Sequence, residues 1–311
     1  RYLFIDEIHK YENWRRELKE IYDLHRELHI VISGSSLLQI NDGHSDLSRR
    51  LTEYQMSGLS FREFMCMMTG VNIEPIELSS LLNSPNLFCQ EVKRHFHPLE
   101  YFHLYLKEGY YPFYFENKKM YHNVIENVIN YIVDNELTMF RGLEVGNSRR
   151  IKALLQVLSK MVPYEVDISK LSRTIGIQRP TTLKYLKNLE EAALIRRLFT
   201  KIDTITDLQK PDKILIDNSN ILYTLSDSNP EIGTVRETFF CNQLCAAGHI
   251  VEYGGLKTGD FRIDKEIVIE VGGSDKGLKQ IQNEEYGYVA ADDIDNAIFR
   301  KIPLWAFGFL Y

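Results

Sequence analysis

Cysteine is scarce in this sequence, with four residues among 311. So few thiols cannot build a disulfide framework, and the reducing cytoplasm is the expected location. No run approaches the roughly 18 apolar residues that a membrane-crossing helix needs, so no membrane partner is expected. The opening residues carry neither a basic stretch nor the apolar core of a targeting segment. They read directly as a strand, which suggests the C-terminal portion of a longer protein. Apolar residues make up 44% and charged residues 26%, which excludes global disorder. At this length two or three domains are expected.

The net charge of −6 argues against a chain that binds nucleic acid along its whole surface, yet the charge is unevenly spread. Residues 149–201 hold twelve Lys and Arg against four Asp and Glu, a local charge of +8 that leaves −14 on the remainder.

Hydrophobic patterning divides the chain into four parts: 1–64, 65–148, 149–201 and 202–311. The first alternates strand and helix, with strands at 2–6, 29–33 and 54–59 and a helix over 14–28, as in a parallel sheet. The second is helical and rich in aromatics, broken at Gly109-Tyr110-Tyr111-Pro112. Three short helices and then Leu194-Ile195-Arg196-Arg197-Leu198 give the third part a winged helix-turn-helix pattern. The fourth is α/β, with a helix over 233–246, a second over 276–282 and a last apolar strand over 303–310.

Tyr2-Leu3-Phe4-Ile5-Asp6-Glu7 fits a strand that ends in carboxylates. Such an end suits Mg²⁺ bound to nucleotide, with Asp6 on the metal and Glu7 polarising water. The alternative is a strand that merely ends in acidic residues. Ile5-Asp6-Glu7-Ile8, Ser33-Gly34-Ser35-Ser36, Leu59-Ser60-Phe61-Arg62-Glu63-Phe64 and Gly109-Tyr110-Tyr111-Pro112 together resemble an AAA-type ATPase family of bacteria and archaea. The resemblance spans nearly the whole chain. It implies ATP and Mg²⁺ as cofactors, Asp6 as the metal carboxylate and Glu7 as the catalytic one. Ser35 or Ser36 becomes the sensor, and Arg49 or Arg50 an arginine finger for a neighbouring subunit, which makes self-association an expectation.

One departure limits that resemblance. The phosphate-binding string G-x-x-x-x-G-K-[ST], whose backbone N–H groups and Lys cradle phosphates, does not occur. Gly254 and Gly259 have the glycine spacing, but Asp260 stands where Lys belongs. ATPase activity is therefore expected of the full-length protein and not of this chain alone.

The last part resembles the restriction-endonuclease-like fold. Glu237 on a helix, Asp260 opening a strand and Glu270 on the adjacent strand match its Mg²⁺ carboxylates. Position 272 is Gly where the motif has Lys, with Lys276 the nearest substitute, so an inactive version of the fold is the leading expectation. In the basic segment, a recognition helix over 178–187 turns Leu183 and Leu186 inward. It presents Arg179, Thr181, Thr182, Lys184 and Lys187 to DNA, with Arg196 and Arg197 reaching the flanking backbone. A purely structural module that binds a protein partner is the competing reading. Cys241 with Cys245, and His95 with His97, read as packing residues, and Asp292-Asp293-Ile294-Asp295 as a helix cap or solvated turn.

Overall fold

A computed structural model describes residues 1–34, 51–52, 54–137, 145–160, 166–200, 210–255 and 258–311. The architecture is mixed α/β, and the chain splits into two compact units. One comprises Arg1–Met56 with Tyr131–Ser148, and the other Ser57–Asn130 with Arg149–Tyr311. Among the described residues, no helix is long and apolar enough to cross a membrane.

In the first unit, β1 (Tyr2–Ile5) and β2 (His29–Ile32) pair in parallel, joined by α1 (Trp14–Leu24). Ile5, Ile30 and Ile32 pack one face of the pair against Ile8, Trp14 and Leu18. The helix is shorter than the 14–28 expected. His25 leaves helical geometry, and Leu24 in the last turn is 77% exposed.

The second unit begins with helices. α2 (Phe61–Thr69) starts at a capping box in which Ser60 and Glu63 satisfy each other's backbone N–H groups, at 2.9 and 3.1 Å. This accounts for the Leu59-Ser60-Phe61-Arg62-Glu63-Phe64 string as a helix start, with Phe61 and Phe64 fully buried. The strand expected over 54–59 does not form. Leu59 N–H donates instead to Tyr110 O at 2.7 Å, and Gly58 lies so close to the Tyr110 ring that a Cβ would sit 2.3 Å from it.

α3 (Leu78–Asn83), α4 (Pro85–Lys93), α5 (Pro98–Glu108) and α6 (Tyr121–Tyr131) follow. Next come α7 (Ser148–Lys160), α8 (Ile168–Ile175) and α9 (Arg179–Glu191). α8 is capped by Asp167 and turned by Gly176, at φ 67. β3 (Ile195–Leu198) then pairs antiparallel with β4 (Lys213–Ile216).

α10 (Ser219–Leu225) and α11 (Ile232–Ala246) lead into a five-stranded sheet ordered β5-β6-β7-β8-β9. Its strands are β5 (Val251–Tyr253), β6 (Phe261–Ile263), β7 (Ile267–Gly272), β8 (Gly287–Ala291) and β9 (Lys301–Pro303). β5, β6 and β7 run antiparallel, whereas β7, β8 and β9 are parallel. α11 packs on β7, with Phe240 against Phe261 at 5.3 Å and Phe307 at 5.0 Å.

Two further expected elements are absent. Residues 276–282 form turns, held where Ile281 packs beneath Val268 and Val289. After Pro303 the last strand gives way to a 3-10 helix over Leu304–Phe309, all six residues buried, with Trp305 Nε1 donating to Ile294 O at 3.2 Å.

A buried polar network ties these helices together. Asn220 is fully buried. Its amide nitrogen donates to Tyr105 O at 3.1 Å and Leu106 O at 2.9 Å, and its Oδ1 accepts from Tyr110 N–H and Tyr121 Oη. Asn242 donates to Tyr110 Oη at 3.2 Å, and Asn218 to Tyr111 Oη at 3.1 Å. The Gly109-Tyr110-Tyr111-Pro112 break is thus a clasp between α5, α10 and α11.

Candidate functional site

In the first unit the parallel register places Ile5 beside Ile32, so the next residues, Asp6 and Ser33, meet at the strand ends. Ser33 Oγ donates to Asp6 Oδ1 and accepts from Glu7 N–H at 3.2 Å. Ser33 N–H in turn donates to Ile5 O at 2.9 Å, and Ile8 N–H to Ser33 O at 3.0 Å. Glu7 lies in the left-handed region at φ 51, which swings the chain out of the strand and into a 3-10 turn. Its Oε2 lies 3.3 Å from Lys10 Nζ. Asp6 is exposed, its carboxylate steadied by one hydroxyl and otherwise facing solvent. A hard carboxylate at the C-terminal end of a parallel strand fits Mg²⁺. Ser33 opens the Ser33-Gly34-Ser35-Ser36 motif, but the sensor role was expected of Ser35 or Ser36. Ser35, Ser36, Arg49 and Arg50 lie outside the described residues.

The Gly254–Gly259 spacing belongs to a different structure from a phosphate cradle. Gly254 N–H donates to Asp260 O at 3.1 Å, and a Cβ on Gly254 would sit 2.4 Å from Gly259 O. A strand, β6, follows in place of a helix.

Glu237, Asp260 and Glu270 come near one another in the second unit. Asp260 Oδ2 accepts from Val271 N–H at 2.8 Å, which fixes it beside Glu270 on β7. Glu237 projects from α11 and lies 2.8 Å from Lys213 Nζ. Burial raises the Glu237 carboxyl to about 7 against the pull of Lys213, and Asp260 pushes it the same way. Burial also raises Glu270, which is 1% exposed, with Asp260 adding to the shift and Lys276 opposing it. Lys276 Nζ pairs with Glu270 Oε1, and Glu270 Oε2 has no hydrogen-bond partner among the described residues. The Lys276 stem lies across Gly272, so that a Cβ there would sit 2.7 Å from Lys276 Cγ. Lys276 therefore stands in a turn, not at the start of the helix expected. The three carboxylates do not close into one set within 4.8 Å, because the lysines hold the two glutamates.

Along α9, Arg179, Lys184 and Lys187 are exposed and Thr181 is half-buried. Thr182 departs from the expected outward position. It is fully buried, with its hydroxyl 2.7 Å from Ser172 Oγ and donating to Gln178 O at 3.2 Å, which locks α9 to α8. Tyr185 and Leu186 face the core, whereas Leu183 is half-buried. Lys187 lies 3.6 Å from Glu191. Arg196 and Arg197 do not reach outward. Arg196 pairs with Asp217 at 3.0 Å and Arg197 with Glu190 at 2.6 Å, because each strand side chain meets a carboxylate of its own unit.

Among the described residues, His103, Asp292 and Asp293 form the one group whose ligand atoms lie within 4.8 Å of one another. Arg236 already holds both carboxylates, at 2.8 Å on Asp292 and 3.1 Å on Asp293. The acidic run is thus neither cap nor solvated turn at Asp292, which is 1% exposed. His95 and His97 are exposed on either side of buried Phe96. Cys241 is buried as expected, but Cys245 is only partly so.

Residues 1–65 match a family model described as an AAA domain, and residues 99–231 match one described as a domain of unknown function (DUF8612). An uncharacterised protein of Methanocaldococcus jannaschii is 23% identical over an alignment that covers 90% of this chain. The chain spans 63% of that relative's length. No solved structure matches the chain.

Proposed function

We propose that this chain is part of an AAA-type ATP-binding protein in which Asp6 is the Mg²⁺ carboxylate and Glu7 polarises the attacking water. The observation that carries this reading is the Asp6–Ser33 contact at the ends of two parallel strands, within the segment that matches the AAA domain. Bound Mg·ATP supplies the scissile phosphoanhydride. Ser33 orients Asp6, and the left-handed backbone at Glu7 turns that carboxylate out of the strand line. The phosphate cradle has to come from outside these 311 residues, because the string that builds it does not occur in them.

ATP turnover by this chain should therefore be indistinguishable from background. In the full-length protein with a phosphate loop, Glu7→Gln should lower kcat by a factor on the order of 10²–10⁴ while ATP stays bound. Turnover by the 311-residue chain itself would overturn the proposal.

A second reading rests on the buried, unpartnered Glu270 Oε2 beside Asp260 and Lys276. In it the second unit is a restriction-endonuclease-like module, brought to duplex DNA by Arg179, Thr181, Lys184 and Lys187, with Thr182 serving only to pack α9. Plasmid DNA incubated with the chain and Mg²⁺ tests it. Binding weakened by Lys184→Glu with Lys187→Glu, together with nicking lost in Glu270→Ala, would support the module. Nicking that survives Glu270→Ala removes it, and so does the absence of both binding and nicking.

A further inference from the structure

α5 docks on α11 through Phe102 and Phe239, whose rings meet edge to face at 4.9 Å. His103 follows Phe102 on α5, and Arg236 precedes Phe239 by one turn of α11, so both stand at the rim of that contact. The turn after β8 meets them there. Asp292 N–H donates to Gly272 O at 2.8 Å, which fixes the start of the turn, and Asp293 takes the left-handed region at φ 58.

The two carboxylates divide their oxygens between two neighbours. Both Oδ2 atoms accept from Arg236, that of Asp292 from Nε and that of Asp293 from Nη2. Both Oδ1 atoms turn toward His103 Nε2, which lies 3.1 Å from that of Asp293 and 4.0 Å from that of Asp292. Asp293 N–H also steadies Asp292 Oδ1 at 2.9 Å. An arginine clasp needs only the Oδ2 atoms. One guanidinium against two carboxylates leaves a net negative charge beside an imidazole nitrogen, which suits a divalent cation.

We propose that His103, Asp292 and Asp293 bind a divalent transition-metal ion of the Zn²⁺ class through Nε2 and the two Oδ1 atoms. Ligand atoms held on one such ion at about 2.0–2.2 Å lie about 3–3.5 Å apart. His103 and Asp293 already have that spacing, and Asp292 Oδ1 needs to close by less than about 1 Å. The imidazole selects this class over Mg²⁺ and Ca²⁺, which prefer oxygen alone. Arg236 and the Asp293 amide orient the ligating carboxylates from behind. Three protein ligands leave a position to water, so the site is open and joins α5 to the turn after β8. None of its ligands belongs to the strand-end site or to the Glu237, Asp260 and Glu270 group, so the inference is independent of both readings above.

The test titrates the full chain, first treated with EDTA, with Co²⁺ read by visible absorption and with Zn²⁺ read by calorimetry. One equivalent of each metal is expected to bind. The cobalt spectrum should show d–d bands without a thiolate-to-metal band, which separates this site from the four cysteines. The side chains of His103 and Asp293 are 57% and 48% exposed, so His103→Ala and Asp293→Asn should unfold at the parent's temperature. Each should weaken Co²⁺ binding by at least about tenfold. His95→Ala with His97→Ala, at exposed histidines outside the group, should leave it unchanged. Metal uptake that survives in His103→Ala, uptake lost in the His95 and His97 variant, or no saturable uptake by the parent would overturn the assignment.

Discussion

Replacing Asn220 by alanine is expected to cost about 4 kcal/mol of stability, because four hydrogen bonds vanish where water cannot replace them. Its amide holds two carbonyl oxygens of α5 and accepts from Tyr110 N–H and Tyr121 Oη, all around a fully buried side chain. Asn220→Asp keeps the acceptor and removes the donor, turning an oxygen toward Tyr105 O and Leu106 O. It should be at least as damaging as alanine despite its near-identical shape. Urea unfolding of both variants against the parent checks this, and a loss under about 1 kcal/mol in each would mean the clasp carries little of the fold.

The second large effect depends on pH. Glu237 is raised from 4.5 to about 7, so the folded protein keeps this proton where the unfolded chain has lost it. Stability supplied by the neutral carboxyl is complete below the unfolded value and drains away as pH climbs through the folded one. At about 1.4 kcal/mol per unit, the loss between about pH 4 and about pH 8 comes to about 3 kcal/mol. Glu237→Gln imitates the neutral form at every pH. Its stability relative to the parent should therefore rise by that amount across the same range, most steeply between about pH 5 and 7. A parent-minus-variant difference that stays flat would place the proton elsewhere in the cluster.

Much of the fold was legible because its elements obey simple periodicity. Tyr2–Ile5, His29–Ile32 and Ile232–Ala246 fall within a residue or two of their expected places. Reading failed where burial is uniform or where polar atoms do the packing. Leu304 to Phe309 are buried on every side, so no alternation separates a strand from the 3-10 helix that forms. Thr182 looked solvent-facing because hydropathy cannot register two hydroxyls that bond each other in a core. Arg196 and Arg197 were expected to reach outward because Asp217 becomes a neighbour of Arg196 only once β3 and β4 pair, and Glu190 one of Arg197 only once β3 folds back beside the end of α9. At the strand-end site, Asp6 and Glu7 were visible as a motif. Ser33 lay in a motif as well, but the sensor role was expected of the serines that follow it.

The Lys276 stem lying over Gly272 bears on the order in which substitutions can accumulate. Any side chain added at 272 meets Lys276 from Cβ to Cδ at 2.7–2.8 Å. A lone Gly272→Lys change thus evicts one ammonium group as it delivers another, and Glu270 loses its present partner before the new one is seated. The two lysine positions are alternatives for one volume, and the route that vacates it first runs through a variant with small residues at both. In that intermediate, Glu270 is buried with neither lysine to balance it.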